Sequence, residues 1–436
     1  MCQPHQESTF RARCRRRRAR RGSVYVAVLG VALIVCICAL AGMHLARLEL
    51  KGAVGGNDLQ RAQLLATSAI EHAVGIMNSS SQGNGQWRSS YTSGQETSAV
   101  QLGGGTFSFK LVDDDGNLAD DAIDPVWVYG IGRAGQAVWV ERARARTDRG
   151  LPLEALNTCL HSRSQIKVDD DATLTVSGAP ASTDGHVNIA GTIVGDAQAV
   201  TKTGTGTITG TTTVPATRKG VPWSTIYSNY MARATQLTYT GNLDTVVLAP
   251  GVNEYGGGLN ADGVYYINTA GNHLRIRRVR LCGTLIINAG TKRVTIDRNC
   301  FLEPFRDDFP VLIIKGETTL GLSSTGSYEY LSESTEGHNF NPAGAAYQGT
   351  ADTDTADSYP SEIRGLVHVI GNVTFSGSGV YRGAVVVQGG VTVASGTPRI
   401  VHDSNLILNP PWGYSSDPNS SSMIVQLQTW TRQPAP

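Results

Sequence analysis

One uncharged apolar run near the start of the chain constrains everything that follows it. The run begins at Ser23 and ends at Leu45, and it contains no Asp, Glu, Lys or Arg. Its length is sufficient for a helix to cross a bilayer, which takes about 20 apolar residues. The sequence therefore predicts a single membrane helix, with the body of the protein on one side of the membrane.

A block of arginine residues precedes this run. Of the 37 basic and 36 acidic residues in the chain, the first 22 positions hold eight arginines and one acid, Glu7, which leaves 29 basic against 35 acidic residues for the rest. Arginines beside an apolar span predict a cytoplasmic N-terminal side and a translocated body. Because nucleic-acid binding requires a basic face, the mildly acidic balance of the body argues against nucleic acid as a partner.

The junction between the arginine block and the apolar run has more than one interpretation. Ala39-Leu40-Ala41 has the small-x-small pattern of a signal-peptide cleavage site, which would release the body near Ala41. Without any cleavage, the run would remain a plain membrane anchor. Against the signal peptide, the run is long for such a segment, and a helical pattern continues beyond it.

A third interpretation is based on a resemblance. The basic leader ends at Arg21-Gly22, and SVYVA opens the apolar run at residues 23–27. This junction resembles the N-termini of type IV minor pilins and K-type pseudopilins. The resemblance implies that a prepilin peptidase cuts between Gly22 and Ser23 and that the apolar helix packs with other pilin or pseudopilin subunits. Most major pilins carry glutamate where this chain has Ala27, which favours a minor subunit.

The helical pattern continues after Gly55-Gly56, a pair expected to be flexible, with Asn57 or Asp58 as a new N-cap. The predicted helical region therefore spans residues 23–78, with an apolar half followed by an amphipathic half, and it resembles a pilin stalk. Small and apolar residues recur at helical spacing on one face of the second half: Leu59, Ala62, Ala66, Ala69, Ile70, Ala73 and Met77.

A small β region is predicted for residues 79–150. Three runs have the composition and alternation of strands, at residues 105–112, 126–132 and 136–146. A helix followed by an antiparallel meander again resembles the globular head of a pilin.

An acidic loop, DDDGNLADD, lies between the first two of these strands. Clustered carboxylates suit calcium, a hard ion that takes several oxygen ligands. The candidate ligands are Asp113, Asp115, Asp120 and Asp121. The full EF-hand spacing is absent, and Asp-Gly is also common in an ordinary hairpin turn. A solvated turn is the favoured interpretation, and calcium, the only cofactor that the sequence suggests, is the alternative.

The second half of the chain consists of short β runs separated by Gly, Asn and Asp, with no helical period between them. The self-similar runs GTLII, GLVHV and GAVVV indicate stacked coils. The fold prediction is thus mainly β, with a right-handed parallel β-helix-like solenoid at residues 165–409; a β-sandwich is the alternative. A polar acidic loop interrupts it at 323–362, and a Pro/Ser-rich tail follows at 410–436.

Two cysteines of the solenoid are 18 positions apart, which is close to the length of one coil. Cys282 and Cys300 would then lie on adjacent coils, at a spacing that a disulfide tolerates. A stacked pair of buried thiols is equally compatible with that spacing. The third cysteine of the body, Cys159, has no assigned partner.

No catalytic motif is present, so the protein is not expected to be an enzyme. The best acidic pair, Asp307-Asp308, sits between prolines in a predicted turn, and His273 and His368 lie elsewhere. The layout resembles bacterial proteins that join a pilin-like N-terminus to a glycine-rich β-solenoid.

The main functional hypothesis is a structural minor pilin or pseudopilin-like component of a type IV pilus or type II secretion assembly. It would be held in the cytoplasmic membrane by one helix, with its body outside. A membrane-anchored or secreted β-helix adhesin that binds polysaccharide is the alternative, and a polysaccharide lyase is a more remote one.

Overall fold

A computed structural model of the chain describes residues 20–79, 85–222, 225–417, 420 and 422–434. Most of the basic leader predicted at 1–22 therefore lies outside the described residues. The chain is mainly β with a long N-terminal helix, and it divides into two compact units. The first unit comprises Met1–Asp148 together with Ser421–Pro436, and the second comprises Arg149–Ser420.

The N-terminal helix α1 runs from Arg20–Met77 without interruption. It begins three residues before the apolar run and covers the predicted helical region 23–78 except Asn78. It passes through Gly55 and Gly56, so the N-cap predicted at Asn57 or Asp58 is wrong. Each glycine costs a helix about 1 kcal/mol relative to alanine. That cost does not stop the helix because propagation between two formed segments is cooperative.

A short helix and four strands follow in the first unit. The strands pair in chain order, each antiparallel to the next, and the three predicted strand runs are β2, β3 and β4. The elements are α2 (Trp87–Ser90), β1 (Val100–Leu102), β2 (Gly105–Val112), β3 (Val126–Ala134) and β4 (Ala137–Thr147).

The second unit is built from 25 described strands and three short α-helices. The helices are α3 (Ile226–Arg233), α4 (Glu333–Glu336) and α5 (Asn405–Leu408). The strands before α3 are β5 (Leu160–Ser162), β6 (Gln165–Val168), β7 (Thr173–Ser177), β8 (Ala181–Thr183), β9 (His186–Ile189), β10 (Thr192–Val194), β11 (Ala197–Gln198), β12 (Thr201–Thr203), β13 (Thr207–Ile208) and β14 (Thr212–Thr213). Those after it are β15 (Thr235–Leu237), β16 (Leu243–Ala249), β17 (Val252–Asn253), β18 (Val264–Asn268), β19 (Leu274–Cys282), β20 (Thr284–Arg298), β21 (Phe301–Glu303), β22 (Leu312–Leu322), β23 (Tyr330–Ser332), β24 (Ser358–Pro360), β25 (Glu362–Ile370), β26 (Val373–Phe375), β27 (Val380–Val387), β28 (Val391–Val393) and β29 (Arg399–Val401).

Parallel pairing between coils makes this unit a solenoid. The alternative, a β-sandwich, would require antiparallel pairing within each sheet. The repeated GTLII, GLVHV and GAVVV runs occupy equivalent places, because Leu285, Leu312, Val367 and Val385 pair in one column and are all buried inside the coil. The interior is therefore a stack of aliphatic side chains, as the repeats predict.

The coils are not stacked in chain order. The strands of the first coil, β5, β6 and β7, pair in parallel with β27, β28 and β29 of the last. Leu160 thus stands opposite Val385. Strands β5 to β14 therefore lie on one side of the contact between the first and last coils. Strands β15 to β29 lie on the other side of it.

The segment predicted as a loop at 323–362 is instead folded. Its strands β23 and β24 pair antiparallel, and α4 lies between them in sequence. Its apolar side chains pack against the outer surface of the coils in a small shared core. This core comprises Val247, Ala249, Phe301, Leu331, Phe340, Ala345 and Tyr359. The hydrophobic side chains dispersed through a polar sequence account for the difference, since burial of each of them contributes to holding the segment on the coils.

The last strand, β30 (Met423–Gln433), corrects the prediction of a Pro/Ser-rich tail at 410–436. It pairs antiparallel with β4 and forms an edge of the sheet of the first unit, whose order is β1-β2-β3-β4-β30. The backbone groups of β4 would otherwise form an open edge, and pairing satisfies them.

The disulfide predicted between Cys282 and Cys300 is not formed, and both thiols are free. The register places Cys282 opposite Glu303, three residues beyond Cys300. Cys300 belongs to the core inside the coil, whereas Cys282 packs against the small core outside it. The two side chains therefore lie on opposite sides of the coil wall, which the coil length alone does not reveal.

Candidate functional site

The first half of α1 exposes its apolar side chains around its whole circumference. None of the most apolar stretch is buried, and the helix is long and apolar enough to cross a membrane. Such a segment is compatible with a membrane anchor or with a signal sequence. The exposed side chains include Val24, Val28, Val31, Leu33, Ile37, Leu40, Leu45, Leu48 and Leu50.

The second half of α1 has a buried face that packs on the antiparallel sheet. The predicted face is correct in most positions, but Leu59 is exposed and Leu65, which was not predicted, is buried. The face shares one core with Phe107, Phe109 and Val128 of the sheet. Its buried members are Ala62, Leu65, Ala66, Ala69, Ile70, Ala73 and Met77.

Two glycines of β3 allow the helix backbone to touch the sheet. A Cβ on Gly130 would collide with the carbonyl oxygen of Ala66, and a Cβ on Gly132 would collide with that of Ala62. Small residues on both elements therefore set a close approach. One continuous helix thus has an exposed apolar half and a second half that packs on the sheet of the first unit.

The acidic loop of the first unit brings together a set of carboxylates that differs from the predicted one. Oxygens of Asp113, Asp120 and Asp124 all lie within 4.8 Å of one another. Of the predicted ligands, Asp115 and Asp121 are outside this group. Asp124 was missed because it follows the acidic run by three residues and is brought back only by the course of the loop before β3.

The two predicted ligands outside the group stabilise turns. Asp115 Oδ1 accepts a hydrogen bond from the Asn117 main-chain N–H at 2.8 Å, and Asp121 Oδ1 accepts one from Ile123 at 3.0 Å. These are the local side-chain-to-backbone bonds that Asp makes in turns. Asp115 is exposed, whereas Asp121 is buried.

Arg88 of α2 supplies a buried positive charge beside the loop. Its guanidinium donates to the main-chain oxygens of Leu118, at 3.3 Å, and Asp124, at 2.5 Å. Burial lowers the pKa of Arg88, and the carboxylates of Asp124 and Asp113 oppose that effect. No sequence signal marked Arg88, because its burial depends on the folded loop.

The pKa values of two of the grouped carboxyls, Asp113 and Asp120, are raised by burial and by a neighbouring carboxylate. Burial and the neighbouring Asp115 raise the pKa of Asp113 to about 6, although a hydrogen bond from the Asp114 N–H and the charge of Arg88 act in the other direction. Burial and Asp115 also raise the pKa of Asp120.

The residues considered for catalysis have structural partners. Asp308 accepts hydrogen bonds from Arg149 and Arg306 at 3.0 Å, while Asp307 is exposed. Burial disfavours the charged form of Asp308, but the two guanidiniums outweigh it and lower its pKa to about 2. A carboxyl held this way is a fixed anion.

The two histidines considered beside that acidic pair have partners of their own. His368 Nδ1 lies 2.8 Å from the hydroxyl of Tyr414, and burial lowers the pKa of His368 to about 3. His273 Nδ1 accepts from the main-chain N–H of Arg293 at 3.2 Å. These contacts give the two histidines roles in packing and in turn stabilisation.

A column of threonines lies on one outer face of the solenoid. Thr295, Thr319, Thr374 and Thr392 pair in register on β20, β22, β26 and β28, and each is partly exposed. Adjacent strands lie about 4.8 Å apart, so the hydroxyls recur at that spacing. We call these four residues the threonine face. At the two ends of this column, Arg275 of β19 pairs with Thr295, and Lys167 of β6 pairs with Thr392.

Comparisons with solved structures give low similarity scores. The competence-associated pilin ComZ from Thermus thermophilus matches with a TM-score of 0.32 and 10% identity, over 86% of this chain and 98% of that one. An ice binding protein from an Antarctic biological consortium matches with a TM-score of 0.29 and 12% identity, over 57% of this chain and 90% of that one.

A third structural match is an ice-binding protein from the Antarctic ascomycete Antarctomyces psychrotrophicus. Its TM-score is 0.21 and its identity 12%, over 58% of this chain and 98% of that one. No protein-family model matches the sequence, and no curated protein matches it significantly. All three TM-scores are below 0.5, so an assignment of function depends on this chain's own residues.

Proposed function

We propose that the protein is a structural, pilin-like subunit of a type IV pilus or type II secretion assembly. The observation that carries the proposal is α1, which combines a bare apolar half with a half packed on an antiparallel sheet. The apolar half would reside in the membrane before assembly and among neighbouring subunit helices afterwards. Its partners would be other pilin subunits and the prepilin peptidase, and its work would be assembly and contact with no chemistry.

The distribution of apolar surface supports this proposal. Soluble monomers rarely leave a large contiguous apolar surface exposed, because its burial is favourable by about 25 cal/mol per Å². The first half of α1 would therefore be covered by lipid or by other helices. A signal peptide would need no rigid connection to the head, whereas here one helix continues from the apolar half into the core of the first unit.

The proposal is tested by blocking the processing step and examining filaments. Gly22→Leu should prevent cleavage after position 22 and remove the protein from the sheared filament fraction of its native host. Gly30→Leu is the matched control, because a side chain at Gly30 meets no atom within 4 Å. The control should be processed normally. Normal processing and filament association of the Gly22 variant would contradict the proposal.

The threonine face favours a second candidate function, adhesion to polysaccharide through the solenoid. Threonine hydroxyls both donate and accept hydrogen bonds, and their methyl groups provide an apolar contact surface. A regular column of them would suit a polymer with repeated hydroxyl groups. Such a role is compatible with an anchored or secreted protein and does not require a filament.

Retention on insoluble polysaccharide tests this second candidate. The detergent-solubilised full chain should co-sediment with cellulose or chitin, and a Thr319→Lys/Thr374→Lys variant should not. Thr353→Lys changes an exposed threonine of the 323–362 segment and is the matched control. Equal retention of all three proteins, or adsorption of the wild type to ice but to no polysaccharide, would contradict it.

A further inference from the structure

The outer face of the antiparallel sheet in the first unit carries cationic side chains that stack on aromatic rings. Phe109, Val128 and Ala143 point from this sheet into the core that it shares with α1. Because successive residues of a strand point to opposite faces, their neighbours along each strand lie on the other side of the sheet. We call five partly exposed residues on that side the basic sheet face: Lys110, Trp127, Tyr129, Arg142 and Arg144.

The aromatic rings hold the positive charges of this face in position. The guanidinium of Arg142 lies 4.3 Å from the ring centre of Trp127, and the ammonium of Lys110 lies 4.6 Å from that of Tyr129. Arg142 also donates hydrogen bonds to the hydroxyls of Tyr129 and Thr431, at 3.3 Å each. A guanidinium held in this way loses less side-chain freedom when it binds a carboxylate. The basic sheet face is therefore preorganised for an anionic partner.

Carboxylates of the first unit neutralise only part of this charge. Arg144 pairs with Asp114 at 3.2 Å. Neither Arg142 nor Lys110 forms an ion pair with a carboxylate of the described residues, and the two side-chain hydrogen bonds of Arg142 go to neutral hydroxyls. The charge of Arg142 thus remains available to a carboxylate from another molecule.

The 323–362 segment has an excess of the opposite charge. It contains seven Asp or Glu residues and no Lys or Arg. Three of the carboxylates occur together just before β24, and none of them pairs with a Lys or Arg among the described residues. We call them the acidic patch: Asp352, Asp354 and Asp357. The neutral amide of Asn341 donates to Asp352 and Asp357 at 3.2 and 2.8 Å, while Asp354 is exposed.

We propose that the basic sheet face of one copy binds the acidic patch of a second copy. Arg142 and Asp354 would form the central pair, because an arginine fork and a carboxylate match in shape as well as in charge. Complementary charges also fix the register of two partners and speed their encounter. The contact joins two different surfaces, so it can add copies one after another. It does not depend on α1 or on the function proposed above.

Sedimentation of the full-length protein in detergent provides the first test. The micelle covers the apolar half of α1, so association through other surfaces is measured. The protein should form dimers or larger species at about 0.1 M salt and dissociate at about 1 M, where the Debye length falls from about 10 Å to about 3 Å. A monomer at both salt concentrations, or association that salt does not weaken, would overturn the proposal. Binding of added polygalacturonate by such a monomer would assign the face to an acidic polysaccharide instead.

Variants with reversed charge test the two surfaces separately and together. Arg142→Glu and Asp354→Lys should each weaken association at least about tenfold, because each brings like charges together. An equimolar mixture of the two variants should associate again, because the unchanged patch of the first meets the unchanged face of the second. Recovery in the mixture would also show that both variants are folded.

Two further variants keep this test decisive. Since Arg142 packs on Trp127, Lys110→Glu repeats the reversal at a residue that contacts the ring of Tyr129 alone. Arg399→Glu is the matched control, because Arg399 is an exposed arginine of the solenoid, and it should associate as the wild type does. Equal weakening in this control, or no recovery in mixtures of either basic-face variant with Asp354→Lys, would overturn the proposal.

Discussion

The side-chain amide of Asn78 holds Met423 by two hydrogen bonds. Its Nδ2 donates to the Met423 carbonyl at 2.8 Å, and its Oδ1 accepts from the Met423 N–H at 2.6 Å. Asn78 directly follows α1, and Met423 opens β30, the last strand of the chain. The sheet of the first unit is therefore completed by residues from both ends of the sequence, with the whole solenoid inserted between β4 and β30.

Asn78→Ala should loosen the attachment of β30. Two partly buried hydrogen bonds contribute about 1 kcal/mol each, so the first unit should lose about 1–2 kcal/mol of stability. Hydrogen exchange should show faster exchange of the β30 amides, with the pairing of β2 and β3 kept. Asn57→Ala, at an exposed position of α1, should leave β30 protected. Unchanged exchange in the Asn78 variant would refute the role of this residue.

Gly130→Ala should disrupt the contact between α1 and β3. The added methyl would collide with the main chain at Ala66, and overpacking of this kind costs about 1–3 kcal/mol or more. Gly75→Ala is a matched control, because Gly75 lies on an exposed part of α1 with open space around it. That control should gain about 0.5–1 kcal/mol from helix propensity. Thermal unfolding measures both, and equal stability of the two variants would contradict the packing described.

Asp308 should make the solenoid sensitive to acid. Its pKa is about 2 in the folded protein, below the ordinary value of 3.8, so its contribution of about 2 kcal/mol is present above pH 4 and is lost as the pH falls toward 2. Asp308→Asn should remove this pH dependence. It should also destabilise the solenoid at neutral pH by about 3–5 kcal/mol, because the buried guanidinium of Arg149 loses its ion pair with Asp308.

The neighbouring carboxylate provides the control for that experiment. Asp307 is exposed, so Asp307→Asn should change stability by no more than about 0.5 kcal/mol and should keep the acid sensitivity. Unfolding midpoints between pH 2 and pH 7 distinguish the two variants. An Asp308 variant that loses stability in acid as the wild type does would show that another group is responsible.

Arg280 should be required for docking of the 323–362 segment. Its fully buried guanidinium donates to the carbonyl oxygens of Phe340, at 2.6 Å, Ala345 and Ala346, at 2.8 Å. Arg280→Met leaves these oxygens without their donor, at a cost of about 1–3 kcal/mol for each one that stays buried. Limited proteolysis should therefore cut the segment sooner.

Arg399 provides the comparison for this variant. It is exposed and lies on the same outer column of the solenoid wall, four strands from Arg280. Arg399→Met should leave the proteolysis pattern unchanged. Equal resistance of the Arg280 and Arg399 variants would indicate that the segment is fixed by its apolar core alone.

Local patterns were predictable from the sequence because they depend on neighbouring residues. The buried face of α1 follows from helical spacing, and the aliphatic column through Leu285, Val367 and Val385 follows from repeated runs. The order of the coils did not follow, because similar repeats do not specify which of them are neighbours. The pairing of Leu160 with Val385 joins positions 225 residues apart.

The candidate sites show the same limit. The acidic run DDDGNLADD identified Asp113 and Asp120, but only the path of the loop brings in Asp124 and leaves out Asp115 and Asp121. The spacing of Cys282 and Cys300 correctly suggested neighbouring coils, but it contained no information on the direction of each side chain. One residue of register decides whether a strand side chain points into the coil or out of it.

The mature N-terminus tests the proposed pilin-like function most directly. Mass spectrometry of the protein isolated from its native host should find Ser23 as the first residue, which would place the prepilin cut after Gly22. A start at Gly42 would indicate a cleaved signal peptide and a secreted solenoid. An intact Met1 would indicate a plain membrane anchor, and either of these two results would contradict assembly as a processed pilin.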